Sequence, residues 1–189
     1  MKRRVTKGVP AKVYPSAVVL AGAHLGKDVI VGAFTFVAKG ARIGAGTRIQ
    51  GHTSVWDGVT LGREVFVGPG AMFTNVRHPR AAFARGPAAG GAWDETIVED
   101  GASIGAHATL VAPVRIGKHG MIGAGAVVTH DVPAHAIVVG VPARVLGWAC
   151  TCGETMRRGR ARTKHPACTS CGRAFEKDDA GGLRERSKS

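Results

Sequence analysis

VIVGAFTFVAKGARIGAGTRIQGHTSVWDGVTLGREVFVGPGAMF, residues 29–73, repeats with a period of six. Val31, Val37, Ile43, Ile49, Val55, Leu61, Val67 and Phe73 stand six apart, and the series runs back through Leu25 and Val19 to Val13 without a polar member. Two positions before each member lies a small or β-branched residue: Ala11, Ala17, Ala23, Val29, Thr35, Ala41, Thr47, Thr53, Val59, Val65 and Ala71. A helix repeats near 3.6 residues and a half-buried strand at two, so neither accounts for six. Short strands joined by tight turns do. Three such hexads close one triangular coil, which stacks each hexad on the third one after it at about the 4.8 Å strand spacing. The expected fold class is therefore all-β, a parallel β-helix with both columns facing inward. Gly26, Gly32, Gly44, Gly62 and Gly68 follow members of the main column and are expected to serve the turns, where a missing Cβ relieves the backbone.

Outward from this stretch the period breaks after Phe73 and returns at Val98, Ile104, Leu110, Ile116, Ile122 and Val128. Seventeen hexads give just under six coils. The interruption, TNVRHPRAAFARGPAAGGAWDE at residues 74–95, is expected to be a projecting loop, and loops longer than about 12–15 residues in a compact fold are often functional. It carries Arg77, His78, Arg80 and Arg85, which suit an anionic ligand.

The whole chain of 189 residues has room for one domain and an appendage. Its 28 Gly against six Phe, three Trp and one Tyr disfavour long helices and a bulky aromatic core. No apolar run approaches the ~20 residues of a membrane span, and the basic start lacks the apolar segment of a secretory signal, so the expected setting is cytoplasmic without membrane contact. A net charge of +13 raises the question of nucleic acid, but the charge is concentrated at the ends. Residues 1–7 and 149–189 together hold +9, which leaves +4 on the long stretch between them. A body this mildly charged weighs against a nucleic-acid groove.

The hexads, such as IGAGTR and VGPGAM, resemble those of the hexapeptide-repeat acyltransferases. That resemblance implies a left-handed coil. The stretch IQGHTSVWDGVTLGREVFVGPGAMFTNVRHPRA, followed by TIVEDGASIGAHATL and GAGAVVTHDVPAHAIVVGVPARVLGW, is similar to the nucleotide-linked amino-sugar N-acetyltransferases across about residues 13–148. The resemblance implies a homotrimer that transfers acetyl from acetyl-CoA to the amine of a UDP- or dTDP-linked 3-amino sugar, for surface-polysaccharide or secondary-metabolite glycosylation. It places the family's key Asn on Asn75 and its acidic residue on Asp57. Spacing adds an independent reason to pair them, since three hexads separate the two and put both on adjacent rungs of one face. Gln50, Arg77 and Arg80 fall toward the substrate, and Gly105, Ala106, Gly123, Ala124 and Arg144 toward CoA. His107 and His130 depart from the Asn and Lys common at those places. His78-Pro79 also looks like the His-Pro of sugar O-acetyltransferases, where the His is a general base for a hydroxyl. O-transfer with His78 as base is thus one alternative, and a scaffold without catalysis is another.

All four cysteines follow the repeat, as Cys150-Thr-Cys152-Gly and, with fifteen residues between Cys152 and Cys168, Cys168-Thr-Ser-Cys171-Gly. Their clustering resembles a zinc ribbon, with the first pair one residue short of C-x2-C. The expectation is a structural zinc on Cys150, Cys152, Cys168 and Cys171, with His165 as the alternative to Cys150. The domain reading is residues 1–148 for the coil, 149–178 for the cysteine tail and 179–189 for a disordered end.

Overall fold

A computed structural model describes residues 10–156 and 166–186. Short parallel strands on three faces build the expected β-helix, and the only helical turn among the described residues is Gly86–Ala89. No helix among them is long and apolar enough to cross a membrane. On the first face Lys12 pairs with Ile30 and Val13 with Val31, one coil on, and the same step carries Ile30–Val31 to Arg48–Ile49 and on to Phe66–Val67. The second face starts at Val18–Val19 and the third at His24–Leu25, each climbing in parallel.

The main column lies inside the coil. From Val31 to Phe73 and from Val98 to Val128 its members are buried, and Val29, Val59, Val65 and Ala71 of the second column lie with them. Thr35, Thr47 and Thr53 occupy the same second column because a short hydroxyl can donate to a carbonyl of the next coil: Thr47 Oγ1 reaches the Gly62 oxygen at 2.8 Å. The first coil differs. Val13 is exposed, and Val19 and Leu25 are only half buried, because no coil lies beneath them in the described residues.

The glycines serve a different purpose from the expected one. Gly26, Gly32, Gly44, Gly62 and Gly68 do not take positive φ, but a Cβ on Gly68 would lie 2.6 Å from the Ala106 nitrogen and one on Gly32 2.6 Å from the Gly51 nitrogen. They are small because the next coil passes directly over them. Left-handed backbone occurs instead two residues further along the turn, at Ser16, Phe34, His52, Gly70, His107 and Gly125 on one corner and at Asp28, Gly46, Glu64, Gly101, His119 and His135 on another.

After Phe73 the register jumps. Phe73 pairs with Leu110 and Val67 with Ile104, a step of 37 residues where one coil takes 18, so the insertion adds a net 19 positions and enters the stack without disturbing it. Above Val128 the spacing contracts: Ile122 pairs with Val138 and Ile116 bridges Val132, each two positions short of a full coil. Val132 and Val138 therefore fall outside the hexad count, yet both lie in the core. The first face has seven parallel strands, so the coil exceeds the expected length of just under six turns.

The cysteine tail is continuous with the coil across the expected boundary at 148/149. Arg144–Ala149 folds back antiparallel on Ala136–Val139 and continues to Thr155–Met156. A small separate core gathers Cys150, Met156, Cys168, Phe175 and Leu183, with Trp148 packed against both this core and the coil's. The expectation of disorder from residue 179 is corrected for 179–186. Leu183–Glu185 pairs antiparallel with Phe175–Lys177, and Leu183 is buried, which anchors the segment. Its polar sequence forms the turn, where the Asp178 carboxylate accepts the N–H groups of Ala180 and Gly182.

Candidate active site and cysteine centre

The insertion leaves and rejoins the coil at one corner. Asn75 follows the strand Met72–Phe73, and Asp94 precedes the strand Thr96–Val98. The Asp94 N–H donates to the Asn75 carbonyl at 3.1 Å, and the Arg77 N–H donates to Asp94 Oδ2 at 2.8 Å. Arg85 Nε donates to the His78 carbonyl at 3.1 Å. Trp93 supports the exit, because Gly86 lets the indole come to 2.6 Å from where a Cβ would stand. Together these contacts enclose a cleft of about 440 Å3 lined by Asn75, Val76, Arg77, His78, Arg85, Gly86, Ala92 and Asp94.

Of the residues expected at the site, Asn75, Arg77 and His78 thus share one cleft. Asp57 lies one rung from Asn75, as the spacing requires, but the contact runs from Asn75 Nδ2 to the Asp57 backbone carbonyl, at 3.1 Å. The Asp57 carboxylate turns to the rung below and accepts the Gly40 N–H at 2.7 Å. Gln50 sits at a different corner, where its carbonyl accepts from Thr35 Oγ1. Arg80 lines a neighbouring depression beside Phe83 and Trp93.

Gly105, Ala106, Gly123 and Ala124 stack on the corner that follows the first face. A Cβ on Gly105 would lie 2.5 Å from the Ala124 nitrogen, and the Ala106 carbonyl accepts the Gly125 N–H at 2.8 Å. The close approach of the next coil requires Gly105 to be small whether or not a ligand passes. Arg144 lies apart from them, on a cleft of about 300 Å3 that also includes His130 and Asp131. His107 holds one of the left-handed corner positions, with its ring beside Gly70.

Arg85 enters the cleft as one of the cations of the insertion, whereas Asp94 has no place in the sequence reading of the site. A signal for it exists: Trp56-Asp57 recurs as Trp93-Asp94, displaced by one coil plus the insertion.

At the far end the four cysteines converge. Their Sγ atoms lie within 4.8 Å of one another, with Cys150 to Cys171 at 3.5 Å and Cys152 to Cys168 at 3.7 Å. Four thiolates around one zinc at about 2.3 Å stand roughly 3.8 Å apart, so the set fits a tetrahedral ion. The short C-x-C pair is accommodated because each of its members faces a cysteine of the second pair. Each loop turns on a left-handed glycine, Gly153 or Gly172. The Arg173 backbone N–H, with the neighbouring thiols, holds the Cys171 thiol down to about 6, whereas burial pushes Cys150 up to about 12. A metal held by these four groups, two of them buried and two exposed, would remove the Cys150 proton outright. His165 lies outside the described residues.

Residues 95–130 match the family described as bacterial transferase hexapeptide (six repeats). Those residues carry the hexapeptide repeat of that family. The chain's coils are 38% identical over 138 residues, 72% of the chain, to the bifunctional protein GlmU of Thermotoga maritima, of which they span 28%. They are 40% identical over 84 residues, 44% of the chain, to a dTDP-3-amino-3,6-dideoxy-alpha-D-galactopyranose 3-N-acetyltransferase of Aneurinibacillus thermoaerophilus, of which they span 42%. The chain thus spans less than half the length of these curated relatives. Among solved structures, the acetyltransferase domain of PglB from Neisseria gonorrhoeae in complex with acetyl coenzyme A superposes with a TM-score of 0.61 at 25% identity, covering 74% of this chain and 58% of that one.

Proposed function

We propose that the protein is an acetyl-CoA-dependent N-acetyltransferase whose acceptor is the amine of a nucleotide-linked sugar, with UDP- or dTDP-linked 3-amino sugars as the class. The observation that supports this reading is the cleft at the base of the insertion, where one amide, two guanidinium groups and an imidazole converge on a coil of the hexapeptide type. Arg77 and Arg85 suit the diphosphate of such an acceptor. An amino-sugar amine is partly neutral near physiological pH and needs little help from a base. Asn75 orients it, its nitrogen forms the bond to the thioester carbon, the sulfur bond breaks, and the proton ends on the departing CoA thiol. A backbone N–H stabilises the developing oxyanion. Acetyl-CoA runs along the small corner residues Gly105, Ala106, Gly123 and Ala124 toward Arg144. The active assembly is a homotrimer, and one structural zinc per chain occupies the four cysteines without an open position for catalysis.

The experiment is to incubate the protein with acetyl-CoA and a panel of UDP- and dTDP-linked amino sugars and to read the products by mass spectrometry. An amide product is expected. Asn75→Ala should lower turnover by about a hundredfold and His78→Ala by less than about threefold. If the product is an ester and His78→Ala abolishes it, the protein is a sugar O-acetyltransferase with His78 as base. No acetylated product from any acceptor would leave the coil a scaffold.

A further inference from the structure

Asp94 repeats, one coil further on, the position of Asp57. Val59 pairs with Thr96, each two residues after its aspartate. The carboxylate of Asp57 accepts the Gly40 N–H, and that of Asp94 accepts the Arg77 N–H, at the same distance back along the chain in each case. Gly40, however, belongs to the coil, whereas Arg77 belongs to the insertion. The same corner bond that locks one rung to the next is used here to tie a loop to the coil.

Asp94 also holds more than one partner. Its N–H donates to the Asn75 carbonyl at 3.1 Å, and its second carboxylate oxygen lies 3.8 Å from the Arg77 guanidinium. The Asn75 side chain is meanwhile fixed to the Asp57 carbonyl. On the adjacent rung, a Cβ on Gly58 would lie 3.0 Å from the Asp94 backbone oxygen, so the missing side chain lets the exit segment pack close, and the Thr96 N–H donates to the Gly58 carbonyl at 3.1 Å. One residue therefore closes the insertion at its two ends and sets two groups on the wall of the cleft.

We propose that Asp94 is a positioning residue of the acceptor site, holding Asn75 and Arg77 in the arrangement that receives the nucleotide-linked amine. This rests on the acceptor reading above. It concerns the acceptor side alone, since the small corner residues Gly105, Ala106, Gly123 and Ala124 do not line this cleft. A guanidinium held in place loses less freedom on meeting a phosphate, so the benefit is in binding.

The test compares Asp94→Ala with Asp94→Asn in the full chain. Asparagine keeps an oxygen that can accept the Arg77 N–H but loses the charge beside the guanidinium. By hydrogen exchange, the Arg77 amide should open about tenfold faster in Asp94→Ala and stay close to wild type in Asp94→Asn. In acetyl transfer, Asp94→Ala should raise the acceptor KM about tenfold, leave the acetyl-CoA KM within about twofold and be largely rescued by Asp94→Asn. UDP and dTDP affinities, read by calorimetry, should fall in parallel with the acceptor KM. An unchanged Arg77 amide overturns the proposal, as does a KM rise shared equally by both substrates or an affinity for both nucleotides that does not move. A wild-type protein that binds UDP or dTDP but acetylates no amino sugar sinks the transferase reading while leaving the exchange and calorimetry arms to decide the role of Asp94.

Discussion

In the coil the buried side chains from Val31 to Val138 stack on equivalent ones of the neighbouring rungs. In the tail, Cys150, Met156, Cys168, Phe175 and Leu183 form a core of five with no such stack, and two of the five are thiols. The coil can absorb an insertion at one corner and lose two positions at its last turn because each rung depends only on its neighbours. The tail leans on the coil through the Arg144–Ala149 strand and Trp148, the Ala149 N–H on the His135 carbonyl at 2.7 Å, the Phe175 ring set edge-on to His135 at 4.9 Å, and the Leu183 N–H on the Ala134 carbonyl. A core of this size needs a staple, and four converging thiols provide the ligands for one.

The largest expected effect therefore comes from the metal. Structural zinc binding is worth on the order of 10 kcal/mol in small folds of this kind, more than such a core supplies by itself. Purified protein should contain one zinc per chain by elemental analysis. Stripping it with a chelator, or replacing Cys152 and Cys168 with Ser, should erase amide protection across Phe175–Lys177 and Leu183–Glu185. Protection at Ile49, Val67 and Ile104 should persist. If the coil lost protection to the same degree, the tail would be an integral cap and the contrast between the two regions would fail. Intact protection in metal-free protein would show that the five-residue core stands alone.

Within the coil the contrast sharpens between two kinds of glycine. Gly68 does not need positive φ but sits under the Ala106 backbone, while Gly125 has a φ of 68° and open space around it. Gly68→Ala forces rigid backbone apart and should cost about 3 kcal/mol or more, as severe overpacking does. Gly125→Ala meets only the left-handed penalty and should cost about 1 kcal/mol. Thermal unfolding of both variants checks the order. Equal costs would return the corner glycines to the turn role that the sequence first suggests.

That reversal marks where sequence reading runs out. The apolar columns were legible residue by residue, because a solenoid repeats one environment and Ile43 or Leu110 need only be inward and large. The glycines were legible as small, but whether a turn or a crossing coil demands it depends on three-dimensional approach. The left-handed positions were hidden because they accept Phe34, Glu64 and His119 as well as glycine, so no composition marks them. Val132 and Val138 were lost because the shortened last coil ends the period that identified their predecessors. At the site, spacing brought Asp57 and Asn75 to adjacent rungs but said nothing of direction, and the amide found the carbonyl while the carboxylate found Gly40. Asp94 needed the length of the insertion before its likeness to Asp57 had meaning.

The smallest expected effect lies in the second column, where the coil is least uniform. Thr47 is completely buried and satisfied twice, donating to the Gly62 carbonyl at 2.8 Å and accepting the Val65 N–H at 3.1 Å. Thr96, at the first strand after the insertion, is just as buried, yet its hydroxyl has no partner among the described residues. Its neighbours in the column are Val59 on one side and Val114 on the other. Thr96→Val keeps the shape and removes an unpaired polar group, which should stabilise the coil by about 1 kcal/mol. For a chain of this size that is a rise of roughly 2–4 °C in Tm. Thr47→Val makes the same exchange where the Val65 N–H would be left unpaired, so it should destabilise by a similar amount. If both variants fall in stability, the Thr96 hydroxyl has a partner such as a buried water, and the insertion joins the coil as smoothly as any other rung. Opposite signs would show that splicing a loop into the stack leaves one mismatched atom in its core.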